Sequence, residues 1–259
     1  MTTTILTISN IVILITTLVF NKIGSSGGFN GMGQKEVSDK YKTLITPAGF
    51  AFAIWGVIYL FLSATIIYLF FQRSNPDLAS LINMLSPLFI LSSLFNIAWI
   101  VSFSYEKLAL STVFIFGILL SLMTIVKNLY TLDASFATTL SLITFTLYSA
   151  WVFIATILNV ALFLVQIEWQ AFNISKSKWT IAILFIAMAL VLVYVLYYKN
   201  AIFPLPIAWA FFGIYSSYKK GIINPQMSKV IKNVLIFGIM FFILLTIATF
   251  TINNFQIFA

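Results

Sequence analysis

Long apolar stretches alternate with short polar ones along the whole chain, and their lengths predict the architecture. A helix needs about 20 mostly apolar residues to cross a hydrocarbon core of roughly 30 Å. Eight stretches meet or approach that length, at 4–20, 47–71, 82–103, 108–126, 136–165, 179–198, 201–217 and 229–251. Membrane β-strands would show alternating segments of about ten residues, and these stretches do not alternate. The pattern predicts an all-α, polytopic membrane bundle of about eight spanning helices. The first stretch has neither a basic leader nor a small-residue cleavage site, so it reads as a retained helix. Pro204 and Pro206 remove two backbone donors and predict a bend near the start of the seventh stretch. The short Lys199-Asn200 link before it predicts a tight antiparallel pair of the sixth and seventh spans. The longest polar stretch, 21–46, contains Gly24-Ser25-Ser26-Gly27-Gly28 and reads as flexible, either a linker or a mobile lid.

Composition agrees. Of 259 residues 61% are apolar and 8% charged, with a mean hydropathy of +1.07. A soluble domain carries roughly a quarter charged residues. With no cysteine and no histidine, thiol nucleophiles, disulfides, Cys/His zinc sites and histidine-ligated haem are excluded. No metal or cofactor site and no catalytic residue is expected. The six acids, Glu36, Asp39, Asp77, Glu106, Asp133 and Glu168, all fall between the apolar stretches. A proton-coupled carrier usually keeps an ionisable group at mid-membrane depth, and none is visible.

The net charge of +8 comes from scattered loop residues, which argues for membrane orientation and against a nucleic-acid partner. Lys22, Lys35, Lys40, Lys42, Lys107, Lys176, Lys178, Lys219, Lys220, Lys229 and Lys232 follow odd-numbered spans; only Arg73, Lys127 and Lys199 follow even ones. The positive-inside rule then places the odd-numbered loops in the cytoplasm and both termini outside. A prokaryotic cell membrane is the expected location.

With charges absent from the spans, polar and aromatic residues at membrane depth carry the information. Trp55 and Tyr59 are four apart and share a face of the second span. Asn96 and Trp99 are three apart in the third, and Tyr148, Trp151, Ala155 and Asn159 trace one stripe of the fifth. Asparagine in lipid needs a partner, and indole and phenol each carry a donor that prefers one. Such groups also serve as plain interhelical hydrogen bonds or interfacial belts. Three faces of like design predict instead a cavity walled by planar rings, suited to a flat hydrophobic ligand of porphyrin or sterol type.

The segment Pro47-Ala48-Gly49-Phe50-Ala51-Phe52-Ala53-Ile54-Trp55, continuing to Tyr59, resembles the second helix of the TspO/MBR family, the tryptophan-rich sensory proteins and the mitochondrial translocator protein. Leu94-Phe95-Asn96-Ile97-Ala98-Trp99 is similar to its third helix, and Tyr148-x-x-Trp151 with Ala155-Thr156 and Leu158-Asn159 to its fifth. The first proline of the family's pair is Thr46 here. The resemblance covers residues 4–169. It implies a five-helix transmembrane core over 1–169, often homodimeric, with a ligand pocket involving Pro47, Trp55, Tyr59, Asn96, Trp99, Tyr148, Trp151, Ala155 and Asn159. It further implies binding of porphyrins or sterol-like molecules and roles in sensing or transport. In some members it implies light-dependent porphyrin breakdown, for which Trp55 and Trp151 match the implicated tryptophans. Residues 170–259 would add about three helices, which could cover one face, replace a dimer contact or form a second site with Trp209 and Tyr215. The leading reading is a binding or sensory protein and not an enzyme; a transporter, a photochemical activity and a helical scaffold are the alternatives.

Overall fold

The computed structural model describes residues 2–169, 174–219 and 228–258, and every regular element among them is helical. The α-helices are α1 (Thr3–Ser25), α2 (Gln34–Lys40), α3 (Ile54–Phe71), α4 (Ala79–Ser104), α5 (Leu108–Leu129), α6 (Phe136–Gln166), α7 (Lys176–Tyr198), α8 (Pro204–Lys219) and α9 (Ser228–Ile252). Two 3-10 turns, Gly49–Ala53 and Pro76–Leu78, lead into α3 and α4. Among the described residues seven helical stretches are long and apolar enough to cross a bilayer, and the protein is an integral, multi-pass membrane protein. The expected span at 201–217 becomes α8, whose 16 residues cover about 24 Å, less than a hydrocarbon core. Pro204 is its first residue and Pro206 lies in its first turn. A proline there removes no intrahelical hydrogen bond, so the pair starts a helix instead of bending one.

The chain folds as two compact units, residues 1–40 with 55–163 and residues 41–54 with 164–259. In the first unit polar pairs set the helix directions. Asn10 Nδ2 donates to Ser86 Oγ at 2.8 Å and Asn21 Nδ2 to Asn96 Oδ1 at 2.5 Å, so α1 and α4 run parallel. Thr65 meets Thr144 at 2.7 Å while Trp55 stands against Trp151, which makes α3 antiparallel to α6. α1 is built inside out by the standard of a soluble helix. Ile5, Ile8, Val12, Ile15 and Val19 face outward, whereas Thr7, Asn10, Thr17 and Asn21 are buried. Lipid solvates the aliphatic face, while the polar face is buried, its threonines bonding to carbonyls of α1 and its asparagines reaching α4.

The polar stretch after α1 contains a helix that its glycine and serine content did not predict. Val37 of α2 is fully buried, Glu36 Oε2 accepts from the Gly33 N–H at 2.6 Å, and Lys40 pairs with Glu106 at 2.5 Å. Phe29 packs on Phe20 with ring centroids 5.8 Å apart. These contacts anchor the stretch to α1 and to the α4–α5 turn, which a plain flexible linker would not be.

In the second unit Asn253 Nδ2 donates to the Lys199 carbonyl at 2.6 Å and the Ala201 N–H to that of Ile257 at 3.0 Å. The end of α9 therefore lies beside the α7–α8 turn, and α8 runs antiparallel to α9. A Cβ on Gly238 would meet the Phe211 ring at 2.6 Å and Met188 Sδ at 3.4 Å, so α8 and α7 both close on this point of α9. The expected tight pairing of the sixth and seventh spans gives way to a packing in which α9 is the shared partner. Lys220, one of the orienting lysines, lies outside the described residues.

Candidate ligand-binding site

Trp55, in the first turn of α3, is the hub of an aromatic set in the first unit. Its ring stacks on Tyr59 at 5.4 Å, as side chains one turn apart allow. It stands edge-on to Tyr148 at 5.9 Å and to Trp151 at 6.3 Å, and tilted to Trp99 at 6.3 Å. These centroid separations and edge-to-face angles lie in the favourable range for ring pairs. Three helices contribute: α3 gives Trp55 and Tyr59, α4 gives Trp99, and α6 gives Tyr148 and Trp151.

The amides bolt this set in place. Asn96 Nδ2 donates to the Tyr148 hydroxyl at 3.0 Å, and its Oδ1 accepts from Asn21 of α1. Asn159 Oδ1 accepts from Trp99 Nε1 at 3.0 Å. Its Nδ2 donates to Ser111 Oγ at 3.0 Å and Thr112 Oγ1 at 2.7 Å, both on α5. Asn159 thus ties α4, α5 and α6 together and has both of its amide hydrogens engaged. The Trp99 indole is likewise occupied. Trp151 is not: it is 3% exposed, and its Nε1–H has no partner among the described residues. A buried donor without an acceptor costs about 1–3 kcal/mol, so an acceptor brought next to Trp151 is favoured by that much. No acidic side chain lies on α3, α4, α5 or α6, so the set offers stacking surfaces and a donor but no carboxylate.

Seven of the nine residues expected to line a pocket therefore form one connected set: Trp55, Tyr59, Asn96, Trp99, Tyr148, Trp151 and Asn159. Ala155 lies between Trp151 and Asn159 on α6 and is partly exposed. Pro47 belongs to the second unit, where its Cβ lies 3.2 Å from the position a Cβ on Gly213 would take. Sequence reasoning missed Asn21, Ser111 and Thr112. The first apolar stretch ends at residue 20, so the pattern puts Asn21 in a loop, whereas α1 continues to Ser25. Serine and threonine are too frequent in these helices for two of them to stand out. Trp209, named with Tyr215 for a second site in one of the three alternatives, donates its indole N–H to the Ala51 carbonyl at 2.9 Å within the second unit.

These features define a multi-pass helical membrane protein whose interior is held by amide–aromatic hydrogen bonds and carries no charge. The chain belongs to the TSPO-like protein family, whose model matches residues 7–250. That match extends through α7 and α8 and most of α9, well beyond the motifs at 47–59, 94–99 and 148–159. No curated protein and no solved structure is significantly similar to the chain.

Proposed function

We propose that the protein binds a flat hydrophobic molecule, of which a porphyrin is the best candidate, on the aromatic set around Trp55, and that it acts as a binding or sensory protein. Residues 1–169 supply the binding core in this reading and 170–259 the additional helices. The observation that carries it is the Trp151 indole, buried edge-on against Trp55 with its N–H unmatched among the described residues. Planar π-surfaces favour a planar ligand, and a free N–H favours one with an acceptor at its edge. Family membership supports a hydrophobic ligand in general. The test is titration of protoporphyrin into detergent-purified protein, followed by tryptophan quenching and the porphyrin absorption band. Saturable binding is expected, weakened roughly 30-fold or more by Trp55→Ala with Trp151→Ala, since large aromatic anchors are each worth about 2 kcal/mol or more. Unchanged affinity in a folded double variant removes the reading.

The same proposal places the N terminus outside and the loops after α1, α4 and α6 in the cytoplasm, supported by the lysine distribution; the expectation that both termini lie outside needed an eighth crossing, and α8 is shorter than a hydrocarbon core. Because the chain has no cysteine, single cysteines report sidedness without background. A membrane-impermeant maleimide applied to intact cells is expected to label Asp133→Cys but not Ser26→Cys. The opposite pattern inverts the orientation.

A further inference from the structure

We propose that one end of the second unit is a docking surface for anionic phospholipid headgroups, built from Lys42, Lys176, Lys178, Lys219, Lys229 and Lys232. Charge is unevenly divided in this protein. The first unit holds six basic and five acidic side chains, whereas the second holds eight lysines and the single carboxylate Glu168. Nearly all of the net charge of +8 therefore belongs to the second unit. In the first unit Lys35 pairs with Asp39 and Lys40 with Glu106. In the second, one carboxylate cannot neutralise eight lysines.

Helix packing gathers these lysines. The end of α9 lies beside the end of α7, through Asn253 and the Lys199 carbonyl, and Gly238 faces Met188 midway along both. The two helices therefore run parallel, and their first turns carry Lys176, Lys178, Lys229 and Lys232 to one end. Because α8 runs antiparallel to α9, Lys219 in its last turn reaches the same end. The Tyr218 O–H donates to the Leu44 carbonyl at 2.9 Å, which places Lys42, two residues away, there as well. Among the described lysines of this unit Lys199 alone lies at the opposite end. Lys232 is half-buried and the other five lysines of the surface are exposed.

Depth in the bilayer decides what covers this surface. Helices α7 and α9 are long and apolar enough to cross a membrane, so the residues of their first turns lie at the level of the lipid headgroups. Trp179, in the first turn of α7, packs edge-on against Trp169 at 5.2 Å, and both are partly exposed. Indoles favour that depth, where one part of the ring is apolar and another wet. Further along the two helices Phe185, Ile186, Phe237 and Met240 face outward. Charge and apolar surface thus adjoin in the order in which a phospholipid presents phosphate and acyl chain. A soluble polyanion would match the charge and leave the apolar flank unused. Each basic side chain near an anionic membrane surface strengthens attraction roughly fivefold.

Neither the porphyrin reading nor the orientation of the chain enters this inference, because purified protein presents both faces. The experiment is native mass spectrometry of the full chain in detergent, titrated separately with dioleoyl phosphatidylglycerol and dioleoyl phosphatidylcholine. The two lipids share acyl chains and differ in headgroup charge. Phosphatidylglycerol is expected to bind roughly tenfold more tightly, or better. The combined variant Lys178→Gln, Lys229→Gln and Lys232→Gln is expected to lose that preference, whereas arginine at the same three positions keeps it. Lys22→Gln with Lys107→Gln and Lys127→Gln removes the same charge from the first unit and is expected to leave the affinity unchanged. Equal binding of the two lipids overturns the proposal. So does an equal loss in both glutamine triples, which would make net charge and not this surface the cause. If the second-unit triple does not fold, Lys229→Gln with Lys232→Gln decides by the same comparison. Displacement of the bound lipid by millimolar inorganic phosphate would also overturn it, since the surface would then serve a free anion.

Discussion

Replacing Asn159 by leucine is expected to destabilise the folded protein by about 2–4 kcal/mol, the sum of several buried polar groups left unmatched at once. The side chain is 2% exposed, and its two ends hold Trp99 on α4 and both Ser111 and Thr112 on α5. Leucine keeps the branch at Cγ but is larger, so no cavity opens and overpacking adds to the loss. What is lost is the acceptor for an indole N–H and the donors to two hydroxyls. Thr112 retains a partner in the Leu108 carbonyl at 2.7 Å and Ser111 in the same carbonyl at 3.0 Å. Trp99 has no such alternative, which puts the largest share of the loss on its N–H. Asn10→Leu provides the comparison. Asn10 makes a single bond, to Ser86, and its loss is expected to cost about 1 kcal/mol. Unfolding by SDS titration in mixed micelles measures both. Equal stability of Asn159→Leu and the parent would show that the three-helix junction is not held as described.

The second large effect is expected at Gly213. An added Cβ meets Ala51 Cβ at 2.7 Å and Pro47 Cβ at 3.2 Å. Neither neighbour can rotate away, since one is a methyl group fixed to the backbone and the other belongs to a ring. Overpacking of this kind costs about 1–3 kcal/mol, and valine exceeds alanine because its branches enlarge the clash. Moving the two segments apart would also strain the hydrogen bond from the Ala48 N–H to the Gly213 carbonyl. Gly56 is the internal control. It lies in α3 with nothing within 4 Å of an added Cβ, so Gly56→Ala is expected to stabilise the protein by about 0.5–1 kcal/mol through helix propensity. Thermal unfolding of the two alanine variants should move in opposite directions. A loss at both positions, or at neither, would contradict the packing at α8.

Much of the fold was legible because the solvent is lipid. The bilayer requires a long run of apolar residues for each crossing, and such runs have no other common cause in a chain this poor in charge. Helix ends were harder to place. α1 runs five residues past the end of the first apolar stretch, because Asn21 and Gly24 are buried against α4 and the Asn21 amide N–H groups find acceptors there and in α1. α2 escaped notice because one buried side chain, Val37, and one capping carboxylate, Glu36, hold only seven residues. The prolines of α8 were read as a bend because their distance from the helix start is set by where the α7–α8 turn ends, which no local rule supplies.

The candidate site divides in the same way. Helical spacing alone put Trp55 with Tyr59, Asn96 with Trp99, and Tyr148 with Trp151 and Asn159, because residues three or four apart share a face in any α-helix. Which face meets which neighbour is a property of packing. Only the tertiary structure brought Trp55 among four rings, engaged Asn159 with Trp99, Ser111 and Thr112 and left the Trp151 N–H without a partner among the described residues. It also set Pro47 against Gly213 in the second unit, and α8 against the segment before α3. Those pairings join residues more than 150 positions apart. They depend on which small residue faces which backbone group, and sequence periodicity carries no record of that.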